Sequence, residues 1–159
     1  MQLTPLVEFD SEISDLQQIG ETPFGNRKIY IIGGGHFWGE RINGVALPGG
    51  GDWVSVNHDG LAKLDVRKTI KTDDGALINM SYQGYYQYDS AITDKLEQGE
   101  GYEFGENLFK VQVQFETGDP RYDWLNTTLA VGEAKETGKT IIYRIYEMIS
   151  DNSTFTKAE

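Results

Sequence analysis

Cysteine is absent from this chain of 159 residues, and its apolar runs are short. The first absence excludes disulfide bonds and thiolate metal sites, whatever the redox state of the compartment. No apolar run approaches the roughly 20 residues that a membrane-spanning helix needs. The chain also begins without the basic and apolar segments of a signal peptide. We therefore expect a cytoplasmic protein that has no membrane partner.

Histidine and the usual nucleotide-binding motifs are almost as scarce. The two histidines, His36 and His58, belong to no His-x-His or His-x-x-x-His pair, so we expect no metal site. The triple glycine 33–35 is followed by Trp38 where a dinucleotide fingerprint needs its third glycine. Residues 132–140 end in Gly-Lys-Thr, but five residues separate their glycines, one more than in a phosphate-binding loop. We therefore expect no cofactor.

Basic residues are also few. The chain has 14 lysines and arginines against 25 aspartates and glutamates, which gives a net charge of -11. A surface of this sign repels nucleic-acid phosphates and anionic membranes. We therefore expect no nucleic acid as a partner.

β-Branched and aromatic residues, in contrast, are grouped into short runs between glycine and proline breaks, which is typical of strands. Asp-Gly pairs at 59–60 and 74–75 predict tight turns between neighbouring strands. One helix is predicted at Ser90–Gln98, where Asp89 can cap the start and Gly99 can end it. The predicted strands are Leu6–Ile13, Arg27–Phe37, Trp53–Asn57, Leu61–Thr72, Ala76–Tyr88, Leu108–Phe115, Leu125–Glu133 and Thr140–Ile149.

Long strands joined by short turns favour antiparallel neighbours that close into a barrel, because closure removes the free edges of the sheet. We therefore predict an all-β protein, an antiparallel up-and-down β-barrel of about eight strands with one short helix. The barrel is expected to form a single domain over residues 1–149. The polar residues 150–159 are expected to fray.

Alternation along the predicted strands separates an apolar row from a polar row. In the strand Leu61–Thr72, Leu64 and Val66 share one face, whereas Asp65 and Arg67 lie on the other. Either the polar rows face water, or they line a lumen while the apolar rows meet a partner subunit. The first arrangement is the commoner one. The mixed charges and amides of the polar rows favour the second, which allows a homo-oligomer through the apolar strand faces.

The densest cluster of polar and aromatic residues is the segment 115–126, Phe-Glu-Thr-Gly-Asp-Pro-Arg-Tyr-Asp-Trp-Leu-Asn. An aspartate directly before a proline is typical of a turn, because its side chain can accept hydrogen bonds from backbone N–H groups further along. We therefore interpret Gly118, Asp119, Pro120 and Tyr122 as turn-forming residues.

Four motifs together resemble those of a known family, and they lie at residues 47–53, 64–67, 72–78 and 115–126. Through them the chain is similar to the uncharacterised protein family three-one-one, also called domain of unknown function three-two-three-seven. The family is largely bacterial, and the resemblance implies a small antiparallel β-barrel without an established reaction. Because Asp65 and Arg67 fall within a family motif, the resemblance also favours an inward-facing position for this pair.

Charged, aromatic and amide residues of these motifs are the candidates for contact with a ligand. Asp52 follows a glycine-rich loop and precedes Trp53, which places an anionic group against a large ring. Turn formation explains Glu116 and Trp124 less well, and a carboxylate near an indole can have its pKa raised by desolvation. Asp52 and Glu116 are the candidate catalytic acid and base. The candidate ligand-binding residues are Asp52, Trp53, Asp65, Arg67, Glu116, Trp124 and Asn126.

These residues are compatible with three different functions. The leading hypothesis is a module that binds a small organic molecule in the barrel lumen or at its mouth. The alternative is an acid/base enzyme of the isomerase, cyclase or hydrolase type that uses the same carboxylates without metal or cofactor. The third is a structural or assembly protein whose lumen is filled by side chains.

Overall fold

The computed structural model of the chain describes residues 1–154. These residues form nine strands, one α-helix and one 3-10 helix. Their bounds are β1 Gln2–Thr22, β2 Gly25–Trp38, β3 Gly44–Ala46, β4 Gly50–Val56, β5 Leu61–Thr72, β6 Leu77–Gln87, α1 Ser90–Glu97, β7 Phe109–Glu116, the 3-10 helix Pro120–Thr127, β8 Ala130–Glu136 and β9 Ile141–Ile149.

The strands close into an antiparallel barrel. Each strand from β5 to β8 pairs with the next along the chain, and β1 pairs with both β9 and β2. The short strands β3 and β4 share one position in the wall between β2 and β5, and residues 47–49 separate them. The nine strands of residues 1–154 therefore occupy eight positions, and the predicted up-and-down barrel of about eight strands is confirmed.

The turns and the helix form where the sequence predicts them. Gly60 and Gly75 have φ angles of +81° and +91°, a region that glycine enters without steric cost, so each Asp-Gly pair makes a tight turn. The α1 helix begins after Asp89, whose carboxylate accepts hydrogen bonds from the N–H groups of Ala91 and Ile92. It is one residue shorter than predicted.

The apolar rows fill the barrel and the polar rows face outward. In β5 the inner row includes Leu64, Val66 and Ile70, all of which are buried, and in β7 burial alternates at every residue from Phe109 to Glu116. The alternative in which the polar rows line the lumen is therefore wrong. The apolar rows point inward because the barrel interior removes their side chains from water, which stabilises the fold.

The two ends of the barrel differ in what covers them. At the end that we call the closed end, the 3-10 helix places the fully buried Leu125 in the core beside the turn that joins β5 to β6. At the opposite end, called the open end, α1 and the turn between β8 and β9 lie beside a cavity. β5 runs from the open end to the closed end, and β6 returns.

Two parts of the wall differ from the prediction. β1 is longer than expected because its second half, residues 12–22, pairs with β2 and not with β9, as the outer strand of a β1–β2 ribbon whose other side pairs with β4. Strand β8 starts at Ala130, five residues later than predicted, because the residues before it belong to the 3-10 helix. At the tip of the ribbon Phe24 is 85% exposed.

The end of the chain lies beside its start. The N-terminal ammonium is 2.6 Å from Asp151 Oδ2, within the irregular residues 150–154. The segment predicted to fray is residues 150–159. Of these, residues 155–159 lie outside the described residues. None of the helices in residues 1–154 has the length and apolar character needed to cross a membrane.

Candidate functional site

A cavity of about 440 Å³ occupies the open end of the barrel. Its wall consists of inner-face side chains of the strands, and Thr93 and Leu96 of α1 lie at its edge. A volume of this size suits one small organic ligand. Six of the lining side chains are aromatic: Tyr30, Tyr82, Tyr86, Tyr88, Phe109 and Tyr143.

Asp52 is a carboxylate in the wall of this cavity. It lies on β4 on the same face as the buried Val54, and its register partners are Tyr30 on β2 and Val66 on β5. The β4–β5 ladder has no registered pair immediately after Asp52. There the Asp52 Oδ1 accepts the backbone N–H of Asp65 at 3.0 Å. The carboxylate is thus held in place by a single hydrogen bond to the wall.

The environment of Asp52 suits proton transfer at neutral pH. Burial raises the pKa of Asp52 to about 7, the hydrogen bond from the Asp65 N–H opposes this rise, and the Asp65 charge adds to it. A carboxyl group with this pKa is present in both protonation states near pH 7. It can therefore take a proton from a ligand and return it.

Tyrosine hydroxyls surround the carboxylate. The register places Tyr30, Asp52, Val66 and Tyr82 in one row across four neighbouring strands. Burial raises the pKa of Tyr30 and of Tyr82, and the charge of Asp52 contributes to each rise. The hydroxyl of Tyr30 lies 2.9 Å from that of Tyr88. These groups keep their protons at neutral pH and can donate hydrogen bonds to a ligand.

A second carboxylate, Glu136, lines the cavity at the end of β8. Its Oε2 accepts a hydrogen bond from the Tyr86 hydroxyl at 3.0 Å. Burial raises the pKa of Glu136, and the hydrogen bond from Tyr86 opposes that rise. Because the register pairs Glu136 with Ile141, and β9 runs from there toward the closed end, Glu136 lies closer to the open end than Asp52 does.

Lys68 lies on the inner face of β5 and is 3% exposed. Its Nζ donates a hydrogen bond to Ser11 Oγ at 3.0 Å and lies 3.9 Å from the ring centre of Phe9. No carboxylate of the described residues forms a salt bridge with it. Burial lowers the pKa of Lys68 to about 7, and the charge of Asp10 opposes this.

Three of the predicted site residues lie on the outer surface of the wall near the open end. Trp53 is 38% exposed, and its ring centre is 6.0 Å from the guanidinium carbon of Arg67. Arg67 in turn forms an exposed ion pair with Asp65, with 3.7 Å between Nη2 and Oδ2. The predicted inward-facing Asp65–Arg67 pair is therefore wrong. Strand alternation requires this outcome, because their neighbours Leu64 and Val66 point inward.

The other predicted site residues lie at the closed end, far from the cavity. Glu116 is exposed at the end of β7, which runs away from the open end. The guanidinium of Arg41 stacks on the ring of Trp124 at 4.1 Å. Asn126 donates to the Thr117 carbonyl at 3.0 Å and accepts the Thr117 N–H at 2.8 Å. The prediction that this group lies near the mouth of the lumen is wrong, since β7 and the 3-10 helix carry it to the opposite end.

Sequence reasoning missed most of the polar cavity wall. Lys68 continues the inner row of Leu64 and Val66, and Glu136 continues the inner row of Ala130 and Ala134. A polar residue in phase with an apolar row was the signal that could have identified both. The polar lining residues that were not predicted include Ser11, Tyr30, Tyr82, Tyr86, Tyr88, Glu136 and Tyr143, with Lys68 beneath them.

A metal ion would need several ligand side chains close together in the part of the chain that the structure describes. Residues 1–154 contain no group of three or more histidine, aspartate or glutamate side chains placed to hold a metal ion. The chemistry that these side chains can perform by themselves is proton transfer by Asp52, supported by hydrogen bonds from tyrosine hydroxyls.

Comparison with known proteins identifies relatives across almost the whole chain. A UPF0311 protein of Rhodopseudomonas palustris is 30% identical over 153 residues, which cover 92% of this chain and 100% of that protein. The crystal structure of a β-barrel-like protein from Acinetobacter baumannii is 39% identical, with a TM-score of 0.77 over 92% of this chain and 94% of that one.

A more distant neighbour shares only the fold. The crystal structure of an enzyme from Penicillium herquei superposes with a TM-score of 0.70 at 18% identity, over 92% of each chain. The family described as a protein of unknown function, DUF3237, matches residues 1–148. The chain therefore belongs to the DUF3237 family, as the four sequence motifs predicted.

Proposed function

We propose that this protein is an acid/base enzyme that moves a proton on a small, largely apolar organic molecule bound in the barrel. Asp52 takes the proton and returns it. The observation that carries the proposal is the Asp52 carboxyl group in the wall of an aromatic cavity, with one hydrogen bond and a pKa raised to about 7.

A binding module alone does not require such a group. A carboxyl group that loses its hydration reduces the stability of the fold once it ionises. Strongly perturbed carboxyl groups therefore occur preferentially where a protein uses their proton chemistry. The open volume of about 440 Å³ also distinguishes the lumen from one filled by side chains, which is what a purely structural role leads one to expect.

The reaction classes that fit share one step. Isomerisation and cyclisation both need a base that removes a proton and an acid that returns it, and a single carboxyl group with a pKa near 7 can do both. Tyr30 and Tyr82 extend from the wall on either side of Asp52 and can orient the ligand by hydrogen bonds. Hydrolysis would use the same carboxylate to activate a water molecule.

The test uses nitrobenzisoxazole as a generic probe of bases in apolar cavities. A base removes the proton from the ring carbon, the released electron pair forms a nitrile, and the N–O bond breaks to give a coloured phenolate. We expect the wild-type protein to accelerate this reaction, with a rate that rises through an apparent pKa of about 7. Asp52→Asn should lower the rate on the order of 100-fold, because the amide cannot accept the proton.

The matched control is Glu116→Gln, which makes the same chemical change at the closed end. Glu116 is exposed and distant from the cavity, so this variant should keep the wild-type rate. Thermal unfolding of both variants checks that each remains folded. An Asp52→Asn protein that converts the probe as fast as the wild type, or a wild type that binds the probe without accelerating its conversion, would contradict the proposal.

A further inference from the structure

Lys68 is a buried lysine beneath the cavity that forms no ion pair with any carboxylate of residues 1–154. Lys68 is almost fully buried, and its Nζ has one hydrogen-bond acceptor, Ser11 Oγ. Rings enclose the rest of the ammonium group, with ring centres at 3.9 Å for Phe9, 5.4 Å for Tyr82 and 5.8 Å for Tyr143. Removing an ammonium group from water without an ion-pair partner lowers the stability of the fold, which indicates a functional role for Lys68.

The side chains between this ammonium group and the cavity are hydrogen-bond donors. Ser11, Tyr82 and Tyr143 line the cavity, and we call these three residues the cavity floor. Because Lys68 Nζ donates to Ser11 Oγ, the hydroxyl proton of Ser11 is left for the Tyr82 hydroxyl or for a ligand. Burial raises the pKa of Tyr82 and of Tyr143, so the two tyrosine hydroxyls of the floor keep their protons.

We infer that the cavity floor is an oxyanion site, which takes the enolate or phenolate oxygen of a ligand and uses the Lys68 ammonium to balance its charge. Hydroxyl donors backed by a cation are the arrangement that stabilises a developing negative charge on oxygen. The inference rests on the proposed acid/base function, for which it names the substrate class. That class is enolisable carbonyl compounds.

The positions of the floor and of Asp52 fit this chemistry. Asp52 and Tyr82 lie in one row with a single strand between them, so their backbones are about 10 Å apart and both side chains point into the lumen. A small ring system bound between them would present its carbonyl oxygen to the floor and its α-carbon to the carboxylate.

The step is balanced without a further reactant. Asp52 takes the proton from the α-carbon, the C–H electron pair forms a carbon–carbon double bond, and the carbonyl π electrons move onto oxygen. The floor hydroxyls donate hydrogen bonds to the resulting oxyanion. Where the substrate has a β,γ double bond, the enolate is a dienolate, and return of the proton from Asp52 to the γ-carbon shifts the double bond into conjugation with the carbonyl group, which completes an isomerisation and restores the carboxylate.

Charges near the site determine how it must be tested. Asp52 and Glu136 line the cavity and oppose a bound anion, whereas Lys68 attracts one. The charge of Asp10 also acts on Lys68. The test therefore compares two proteins that differ only at Lys68, so that the other charges are the same in both.

The probe is para-nitrophenol, whose phenolate absorbs visible light and whose ionisation can be followed by titration. In Asp52→Asn, which removes the competing carboxylate, we expect bound para-nitrophenol to have its pKa lowered by about one unit or more, as an opposite charge nearby produces. In the double variant Asp52→Asn with Lys68→Met, the probe should still bind but this lowering should disappear.

The matched control is Lys63→Met in the same Asp52→Asn background. Lys63 lies on the same strand but is exposed on the outer face, so this protein should keep the lowered probe pKa. Ser11→Ala in that background should weaken the effect without abolishing binding, and it provides an independent test if Lys68→Met does not fold. An unchanged probe pKa in both the Lys68→Met and the Ser11→Ala protein, or no binding to Asp52→Asn, would overturn the inference.

This outcome is separable from that of the proposed function. The phenol titration uses proteins without Asp52 and measures no turnover, whereas the nitrobenzisoxazole assay depends on Asp52. A lowered probe pKa that requires Lys68 supports the oxyanion site even if the assay shows no catalysis. The converse result is catalysis that depends on Asp52 while Lys68→Met leaves the pKa of the bound phenol unchanged. That result would support the proposed acid/base function and contradict the oxyanion site.

Discussion

Two aspartates at opposite ends of the barrel show how differently this fold treats the same side chain. Asp119, at the closed end, accepts hydrogen bonds from the N–H and the guanidinium of Arg121, which hold its pKa down at about 2. Asp52, in the cavity wall, accepts one backbone N–H and has its pKa raised by burial to about 7. The carboxylate of Asp119 is therefore fully hydrogen-bonded and stays ionised, whereas the carboxyl group of Asp52 has one hydrogen bond and can exchange a proton near pH 7.

The closed end uses its polar groups to join two segments. The Tyr122 hydroxyl donates to Asp74 Oδ1 at 2.9 Å, and Arg121 Nη1 donates to the Asp74 carbonyl at 3.1 Å. These contacts tie the 3-10 helix to the turn after β5. Two of the family motifs, 72–78 and 115–126, thus meet in one structural network, which explains the density of charged and aromatic residues there.

The largest expected effect comes from the apolar anchor of the closed end. Leu125→Ala should lower the free energy of unfolding by about 2–5 kcal/mol, because the fully buried side chain leaves a void in the core. Denaturant unfolding measures this loss. Conversion of nitrobenzisoxazole by the folded fraction should not change, and a specific loss of that activity would show that the two ends are not independent.

The next effect concerns the pH dependence of stability. The pKa of Asp52 is raised from 3.8 to about 7, so between these values the folded state binds a proton that the unfolded state has released. The wild-type free energy of unfolding should therefore fall as pH rises through this window. Asp52→Asn should remove roughly 2 to 3 kcal/mol of the fall between about pH 5 and about pH 8.

Denaturant unfolding at the two pH values checks this prediction. Glu116→Gln, an exposed site at the closed end, should keep the wild-type pH dependence. Equal pH dependence in Asp52→Asn and the wild type would show that Asp52 does not titrate within the window.

A smaller effect is expected at Asn126. Its amide makes both of the hydrogen bonds that join the 3-10 helix to the Thr117 backbone. Asn126→Ala should lower the free energy of unfolding by about 1–3 kcal/mol, with no change in probe conversion. Asn152→Ala, at an exposed residue of the irregular end segment, is the control and should have no measurable effect. Lost activity at unchanged stability would restore Asn126 as a site residue.

The smallest effect is expected on the outer wall. Arg67→Ala breaks an exposed ion pair with Asp65 and a contact with Trp53, and should change the free energy of unfolding by less than about 1 kcal/mol. Thermal unfolding and the nitrobenzisoxazole assay both check it. A large loss of probe conversion would mean that this family motif acts on the cavity through the wall.

Sequence reasoning predicted the architecture well because strand alternation and Asp-Gly turns are local. The short strand β3, Gly44–Ala46, was missed because three residues carry no periodicity. The continuation of β1 over residues 14–22 was missed because none of its side chains is buried, so no apolar row reveals the strand.

The site was only partly predictable, for a different reason. Asp52 was identified from its place after a glycine-rich loop, but the other candidates were chosen by the density of charge, which marks the outer wall and the closed end. Lys68 was visible in the sequence as a lysine in phase with Val66 and Ile70. Its desolvation was not, because that depends on the closure of β1 onto β9, which joins opposite ends of the chain.

In the folded protein the cavity raises the pKa of Asp52, whereas the closed end lowers that of Asp119. Titration of the aspartate side-chain carboxyl carbons by NMR measures both in one sample, with Asp52→Asn and Asp119→Asn to assign the signals. We expect a midpoint of about 7 for Asp52 and about 2 for Asp119. A midpoint for Asp52 near the ordinary value of 3.8 would contradict it.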